Sequence, residues 1–218
     1  MTVLGAFHHV GVKAVRLTGG EPLLYPYLEE LLARIKKTGW FEDLSMTTNG
    51  SLLAQRAAKL KELGLNRVNI SLDSLDSDAF ALCVGKANQL DSVLKGIHSA
   101  IDAGFTSVKI NTVQSRHWTD DEVRSLLQYV ETWPVIWRFI EYMPFQGDAF
   151  HGPTFDEWKA QLERVSGGIL TENHSVYGFG PATYYNLPSG KEIGCIFSMS
   201  HSYCDTCNRV RLTSDGQM

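Results

Sequence analysis

An α/β fold, a partial (β/α) TIM-like barrel followed by an extension that covers the barrel mouth, is what this sequence predicts, and three observations carry the prediction. Short β-rich runs alternate with helical stretches along the first two thirds of the chain. Helix punctuation falls between those runs. After Pro144 the rhythm changes to glycine-rich, aromatic and irregular sequence around a single helical stretch. Strand followed by helix, repeated, builds a parallel sheet with right-handed crossovers, most simply part of a (β/α) barrel. Five such units are too few to close eight strands, so the domain boundary is set at 144, with 1–144 as core and 145–218 as extension.

The elements follow in order. MTVLGAFHHVGVKAV reads as the end of an amphipathic helix leading into a strand, AVRLT (14–18). Further strands are DLSMTT (43–48), RVNIS (67–71), SVKINTV (107–113) and VIWRFIE (135–141), each rich in β-branched or apolar residues. Pro26 opens the helix YPYLEELLARIKKTG and Gly39 ends it, while Gly64 and Gly104 stop two others in the same way. Thr119 with Glu122, and Thr154 with Glu157, have capping-box spacing, so helices start at both places. ATYYNL and EIGCIFS supply two strands to the extension.

Composition narrows the function classes. The 218 residues are 44% hydrophobic and 20% charged with a net charge of −4, which gives no basis for a nucleic-acid or anionic-membrane surface. No apolar run is long enough to span a bilayer and Met1 begins no targeting segment, so a cytoplasmic protein is expected. The four cysteines, Cys83, Cys195, Cys204 and Cys207, have no disulfide-framework spacing and read as reduced thiols.

Function in such a fold sits at the C-terminal ends of the strands. The loops there are polar: TGGEP (18–22), TTNG (47–50), SLD (71–73) and EYMP (141–144). Paired glycines let a ligand approach the backbone, and a helix start offers free N–H groups to a carboxylate or phosphate, although a plain glycine turn explains TGGEP alone equally well. Arg16, Lys109 and Arg138 stand inside runs that otherwise look like buried parallel strands. Buried cations are costly unless paired. Alternation puts Arg16 with Thr18, and Lys109 with Asn111, on faces that continue into the polar loops, which points to a polyanionic ligand. The competing explanation is internal pairing with Glu21, Asp73 or Glu141.

Cys204 and Cys207 have the C-x-x-C spacing of a metal or redox site. A thioredoxin-type pair, a zinc site completed by Cys195 and His201, and an iron–sulfur cluster needing a further thiolate are all open to it on spacing. Arg209 and Arg211, two residues apart on an extended backbone, point the same way beside it.

The ordered set RLTGGEP, TTNG, RVNISLDSLD, VKINTV, WRFIEYMP and CDTCNRVRLTSDG closely resembles the radical S-adenosylmethionine (SAM) GTP 3′,8-cyclase family of molybdenum cofactor biosynthesis, from about Gly11 to the end. The resemblance implies a radical-SAM barrel and two [4Fe–4S] clusters. The first cleaves SAM to a radical that takes the 3′ hydrogen of GTP, after which the sugar attacks guanine C8 to give 3′,8-cyclo-7,8-dihydro-GTP. The second binds the guanine. It also implies that Gly19, Gly20 and Glu21 hold SAM together with Ser71 and Met143, and that Arg16, Thr47, Lys109, Arg209 and Arg211 bind GTP. Arg138 stands on the cavity wall, and Cys204 and Cys207 are two of three ligands of the second cluster. The implied partners are GTP, an electron donor such as flavodoxin or ferredoxin, and the downstream cyclic pyranopterin monophosphate synthase, and the resemblance allows a homodimer.

Several departures set further expectations. The family's CxxxCxxC, ahead of the TGGEP strand, has no counterpart, since no cysteine precedes Cys83. Its third second-cluster cysteine and terminal glycine pair are also absent, and Ala14 and Tyr25 stand where a lysine and an arginine are common. The chain therefore reads as a fragment lacking the first barrel strand, with an exposed pairing edge on AVRLT and no capacity to cleave SAM as written. A cluster-free SAM- or GTP-binding module and a zinc-stabilised structural protein are the alternative readings.

Overall fold

The computed structural model describes residues 1–114, 118–144, 152–175, 177, 180–199 and 207–218. Two compact units divide the chain, Met1–Asn111 and Thr112–Met218.

The first unit runs α1 (Thr2–His9), β1 (Ala14–Leu17), a 3-10 turn (Pro22–Leu24), α2 (Leu28–Thr38), β2 (Asp43–Thr48), α3 (Ala57–Glu62), β3 (Arg67–Ser71), α4 (Ser77–Val84), α5 (Leu90–Asp102) and most of β4 (Ser107–Val113). All four strands are parallel, β1 to β2, β2 to β3 and β3 to β4. The expected strands therefore form, three of them with the expected bounds. Period-two alternation splits this sheet into two chemically different faces. Leu44, Met46, Val68, Ile70, Val108 and Ile110 form the apolar one and are all buried. The helices bring Leu28, Leu32, Ile35, Leu60, Val93 and Ile97 into the same core. Each such side chain contributes about 1.5–3 kcal/mol when fully buried.

One contact fixes how closely a helix can approach. A Cβ built on Gly96 of α5 would stand 2.4 Å from the carbonyl oxygen of Gly50, and one on Gly50 would stand 2.8 Å from Ile70 Cγ2. The TTNG loop thus passes between β3 and α5 only because both positions lack side chains. At the opposite end of the strands, Arg67 Nε donates to Asp43 Oδ1 at 2.7 Å, and the second guanidinium nitrogen meets Asp43 Oδ2.

The second unit begins with the last residues of β4 and contains α6 (Asp120–Thr132), β5 (Ile136–Ile140), α7 (Phe155–Ser166), β6 (Thr171–Asn173), β7 (Thr183–Asn186) and β8 (Glu192–Ile196). Both capping boxes form: Thr119 and Glu122 exchange hydrogen bonds at the start of α6, as do Thr154 and Glu157 at α7. Thr112 and Gln114 lie against β5, the first accepting from Trp137 Nε1 at 2.8 Å and the second donating its N–H to Ile140 at 2.9 Å. β8 returns beside β5 in parallel, and β7 and β6 continue antiparallel. The sequence reading missed this parallel addition, because EIGCIFS looks like any short strand until its partner is known. Trp158 of α7 packs on the apolar face of these strands, with ring centroids 5.5 Å from both Phe139 and Phe197 and 6.1 Å from Tyr185.

Asp120 joins α6 to α7. It accepts from Arg164 Nε at 3.0 Å and Nη2 at 2.6 Å, and from Gln161 at 3.2 Å. These hydrogen bonds, chiefly from Arg164, hold its carboxyl down at about 2, against an ordinary 3.8. A carboxylate lowered on folding stabilises above its unfolded value and loses that contribution as pH falls through the folded one. Asp120→Asn is therefore expected to flatten the acid-side fall in stability between about pH 4 and pH 2, read from urea midpoints across that range. Gly96→Ala is expected to lower unfolding free energy by about 1–3 kcal/mol in the same measurement, because the added carbon meets backbone rather than a movable side chain.

Candidate functional site

The polar face of the first unit is where the sequence placed a ligand. Thr47, Asn69 and Lys109 are register partners across β2, β3 and β4, so their side chains stand in one row on one face. One step toward the strand C-termini, Ser71 pairs with Asn111 on that face; one step back, Ser45 pairs with Arg16 and Arg67. Lys109 and Asn69 are each 1% exposed, whereas Thr47 is half-buried. Ser71, nearer the strand ends, is exposed. An ammonium and an amide buried side by side are costly in an apolar interior without polar partners, and Asn69 Nδ2 donates to the Met46 carbonyl at 3.4 Å.

Arg16 requires a correction. It shares the polar face but is exposed, and not buried as its strand context led one to expect. β1 pairs with β2 alone within this unit, so neighbouring strands cover it from one side only.

The loops above this face are bound to each other by one carboxylate. Glu21 Oε1 accepts from Leu23 N at 3.0 Å and from Thr48 Oγ1 at 2.7 Å, while Oε2 accepts from Asn49 N at 2.7 Å. Thr48 Oγ1 in turn accepts from Gly50 N at 3.1 Å. The expected SAM residue Glu21 therefore spends its oxygens on fixing TGGEP against TTNG. Beside it, Gly19 and Gly20 have φ of 94° and 49°, and a Cβ at either would meet nothing within 4 Å. Backbone conformation, and not crowding, selects glycine there, which leaves an open main-chain cradle. Such a cradle suits the amino and carboxylate groups of an amino-acid-like ligand.

The remaining expected residues belong to the second unit. Arg138 is buried at 3% exposure on β5, as expected, and Met143 is exposed at 54%. Cys207, Arg209 and Arg211 are exposed on a segment without regular secondary structure. Hydrogen bonds from the backbone and side chain of Arg209, and then its charge, lower the Cys207 thiol below the ordinary range. Cys204 and His201 lie outside the described residues. Cys195 points into the aromatic core, where burial and then the charge of Glu172 push it up to about 12. Among the described residues, no three His, Cys, Asp or Glu side chains form a metal-holding group.

Asn69 and the clamping role of Glu21 escaped the sequence reading. An asparagine inside RVNIS was a usable signal for the first, since an amide rarely occupies a buried strand without a polar neighbour. Glu21→Gln replaces one acceptor oxygen by a donor and leaves Leu23 N or Asn49 N facing it. The expected loss is about 1–2 kcal/mol in denaturant unfolding, with α6 and α7 unaffected.

Comparison with known proteins places the chain among relatives. Residues 2–130 match the model of the Radical SAM superfamily, and residues 135–218 match Molybdenum Cofactor Synthesis C. The GTP 3′,8-cyclase of Pelotomaculum thermopropionicum is 40% identical over 219 residues, covering 99% of this chain and 67% of that protein. The GTP 3′,8-cyclase of Trichodesmium erythraeum is 43% identical over 218 residues, covering 96% and 65%. The chain thus spans about two thirds of the length of the curated relatives it matches. In fold, it is similar to Streptococcus suis SuiB bound to S-adenosylmethionine, with a TM-score of 0.58 at 21% identity, covering 76% of this chain and 38% of that one. A domain of the pyruvate-formate lyase-activating enzyme from Bacteroides vulgatus gives 0.56 at 20% identity, covering 72% and 94%. With its cradle, its buried polar row and both family matches in sequence order, the chain belongs to the GTP 3′,8-cyclase family of the radical SAM superfamily.

Proposed function

We propose that this chain provides the SAM- and GTP-binding surfaces of GTP 3′,8-cyclase chemistry in molybdenum cofactor biosynthesis. The observation that carries the reading is Lys109, buried in register with Asn69 and Thr47 on a polar strand face under the TGGEP and TTNG loops. When bound, SAM with its reduced [4Fe–4S] cluster supplies hydrogen abstraction from the sugar. The main chain of Gly19 and Gly20 receives the methionyl end of SAM, with Ser71 and Met143 completing that site. Thr47 and Lys109 hold GTP from the strand face, and Arg16, Arg209 and Arg211 neutralise its phosphates. Cys207, its thiol lowered by Arg209, and Cys204 serve as ligands of the second cluster.

Residues 1–144 act as the core and 145–218 as its extension. GTP is the substrate, a flavodoxin or ferredoxin the electron donor, and cyclic pyranopterin monophosphate synthase the next enzyme. The setting is cytoplasmic, in keeping with the absence, among the described residues, of a helix long and apolar enough to cross a membrane. The 218 residues contain only four cysteines, at 83, 195, 204 and 207, so by themselves they do not cleave SAM.

Calorimetry on the purified chain tests the binding claim. GTP is expected to bind, ATP to bind at least about ten-fold more weakly, and Thr47→Val or Arg209→Gln each to weaken GTP by about ten-fold. Equal affinity for GTP and ATP, or no response to either substitution, contradicts the assignment.

A further inference from the structure

Arg138, Gly194 and Tyr184 are register partners on β5, β8 and β7, so they occupy one row on one face of the second unit. Each is buried. The glycine in the middle is not there for its backbone, because Gly194 is absent from the glycines with positive φ. Space explains it instead. A Cβ on Gly194 would stand 2.9 Å from Cγ of Arg138 and 2.9 Å from Cε1 of Tyr184. The stem of Arg138 therefore crosses β8 over the bare Cα, and its guanidinium Nη1 comes within 3.8 Å of the place a Cβ on Gly180 would take.

The Tyr184 end of this row is braced. Tyr177 meets the Tyr184 ring edge-on, with centroids 5.0 Å apart and planes at 69°. Its hydroxyl donates to Glu192 Oε2. Glu192 Oε1 accepts from Ser175 Oγ at 2.5 Å and from Asn173 Nδ2 at 3.0 Å. Asn173 Nδ2 also donates to Asn186 Oδ1 at 2.8 Å. The Tyr177–Tyr184 ring pair at the end of the row is thus held by a hydrogen-bonded carboxylate on the neighbouring strand.

We propose that Gly194 is a positioning residue, whose missing side chain seats Arg138 across β8 against Tyr184 and so presents its guanidinium to the polyphosphate of the nucleotide substrate. This rests on the cyclase reading for the identity of the ligand, and on the row of three residues for the geometry. A flexible side chain with a planar charged end gains most when one conformer is selected before binding. Any side chain at 194 removes that conformer. The charge of Arg138 remains while its placement is lost.

Two readouts test it on the full chain. In the first, binding of GTP and of guanosine is compared for wild type, Gly194→Ala, Arg138→Ala and the double variant. The expected result is that Gly194→Ala lowers the GTP-to-guanosine affinity ratio about ten-fold and lowers it no further when Arg138 is already alanine. A ratio unchanged by Gly194→Ala, or lowered equally in both backgrounds, overturns the proposal and leaves a packing role. In the second, Arg138 modification by phenylglyoxal is followed by mass spectrometry without nucleotide. Modification is expected to be slow in wild type and about ten-fold faster in Gly194→Ala, as a displaced guanidinium gains solvent. An unchanged rate overturns the geometry whatever the ligand. Faster modification in a chain that binds neither GTP nor guanosine overturns the cyclase reading and the ligand assigned to Arg138, and supports the seating by Gly194.

Discussion

The Glu21 carboxylate is the interaction on which the candidate site depends. Three hydrogen bonds, from Leu23 N, Thr48 Oγ1 and Asn49 N, make it cap a short turn and tie two loops that are far apart in sequence. Charge-assisted bonds of this kind are stronger than neutral ones, and here they converge on a single side chain. Without them the glycine cradle at 19 and 20 would have no fixed relation to the TTNG loop. The cradle's open backbone is useful to a ligand only if its surroundings hold still. Gly50 and Gly96 serve the same end from below, since their close approach fixes the TTNG loop between β3 and α5.

The strands carry a division of labour that follows from alternation. On one face, Leu44, Met46, Val68, Ile70, Val108 and Ile110 fill the core with the helices. On the other, Thr47, Asn69 and Lys109 run in register, with Ser45 one step back beside Arg67. A one-residue slip in any of these strands would exchange the two faces, so packing of the core and placement of the ligand face are a single constraint. The second unit repeats the scheme with different residues. There Trp137, Phe139 and Ile193 are buried with Trp158, and the opposite face presents Arg138, Gly194 and Tyr184.

Much of this was legible in the sequence, for identifiable reasons. Strands such as RVNIS and SVKINTV declare themselves by β-branched residues, and TDDE and TFDE announce helix starts through a reciprocal hydrogen bond set by local spacing alone. Lys109 could be read as a buried cation because its neighbours in the strand are apolar. Arg16 could not be read correctly, since its exposure depends on what lies beside β1 and not on AVRLT itself. The parallel pairing of β8 with β5 was hidden for the same reason. Glu21 was expected to hold SAM through the family resemblance of TGGEP; only the positions of Thr48 and Asn49 reveal its clamping role.

Amide hydrogen exchange of the purified chain, with and without SAM and GTP, tests the central claim most directly. Slower exchange on adding SAM at residues 18–21 and 47–50, with GTP adding protection at 47–50 and around 109–111, is the predicted result. Protection confined to other segments, or none with either ligand, would contradict the account.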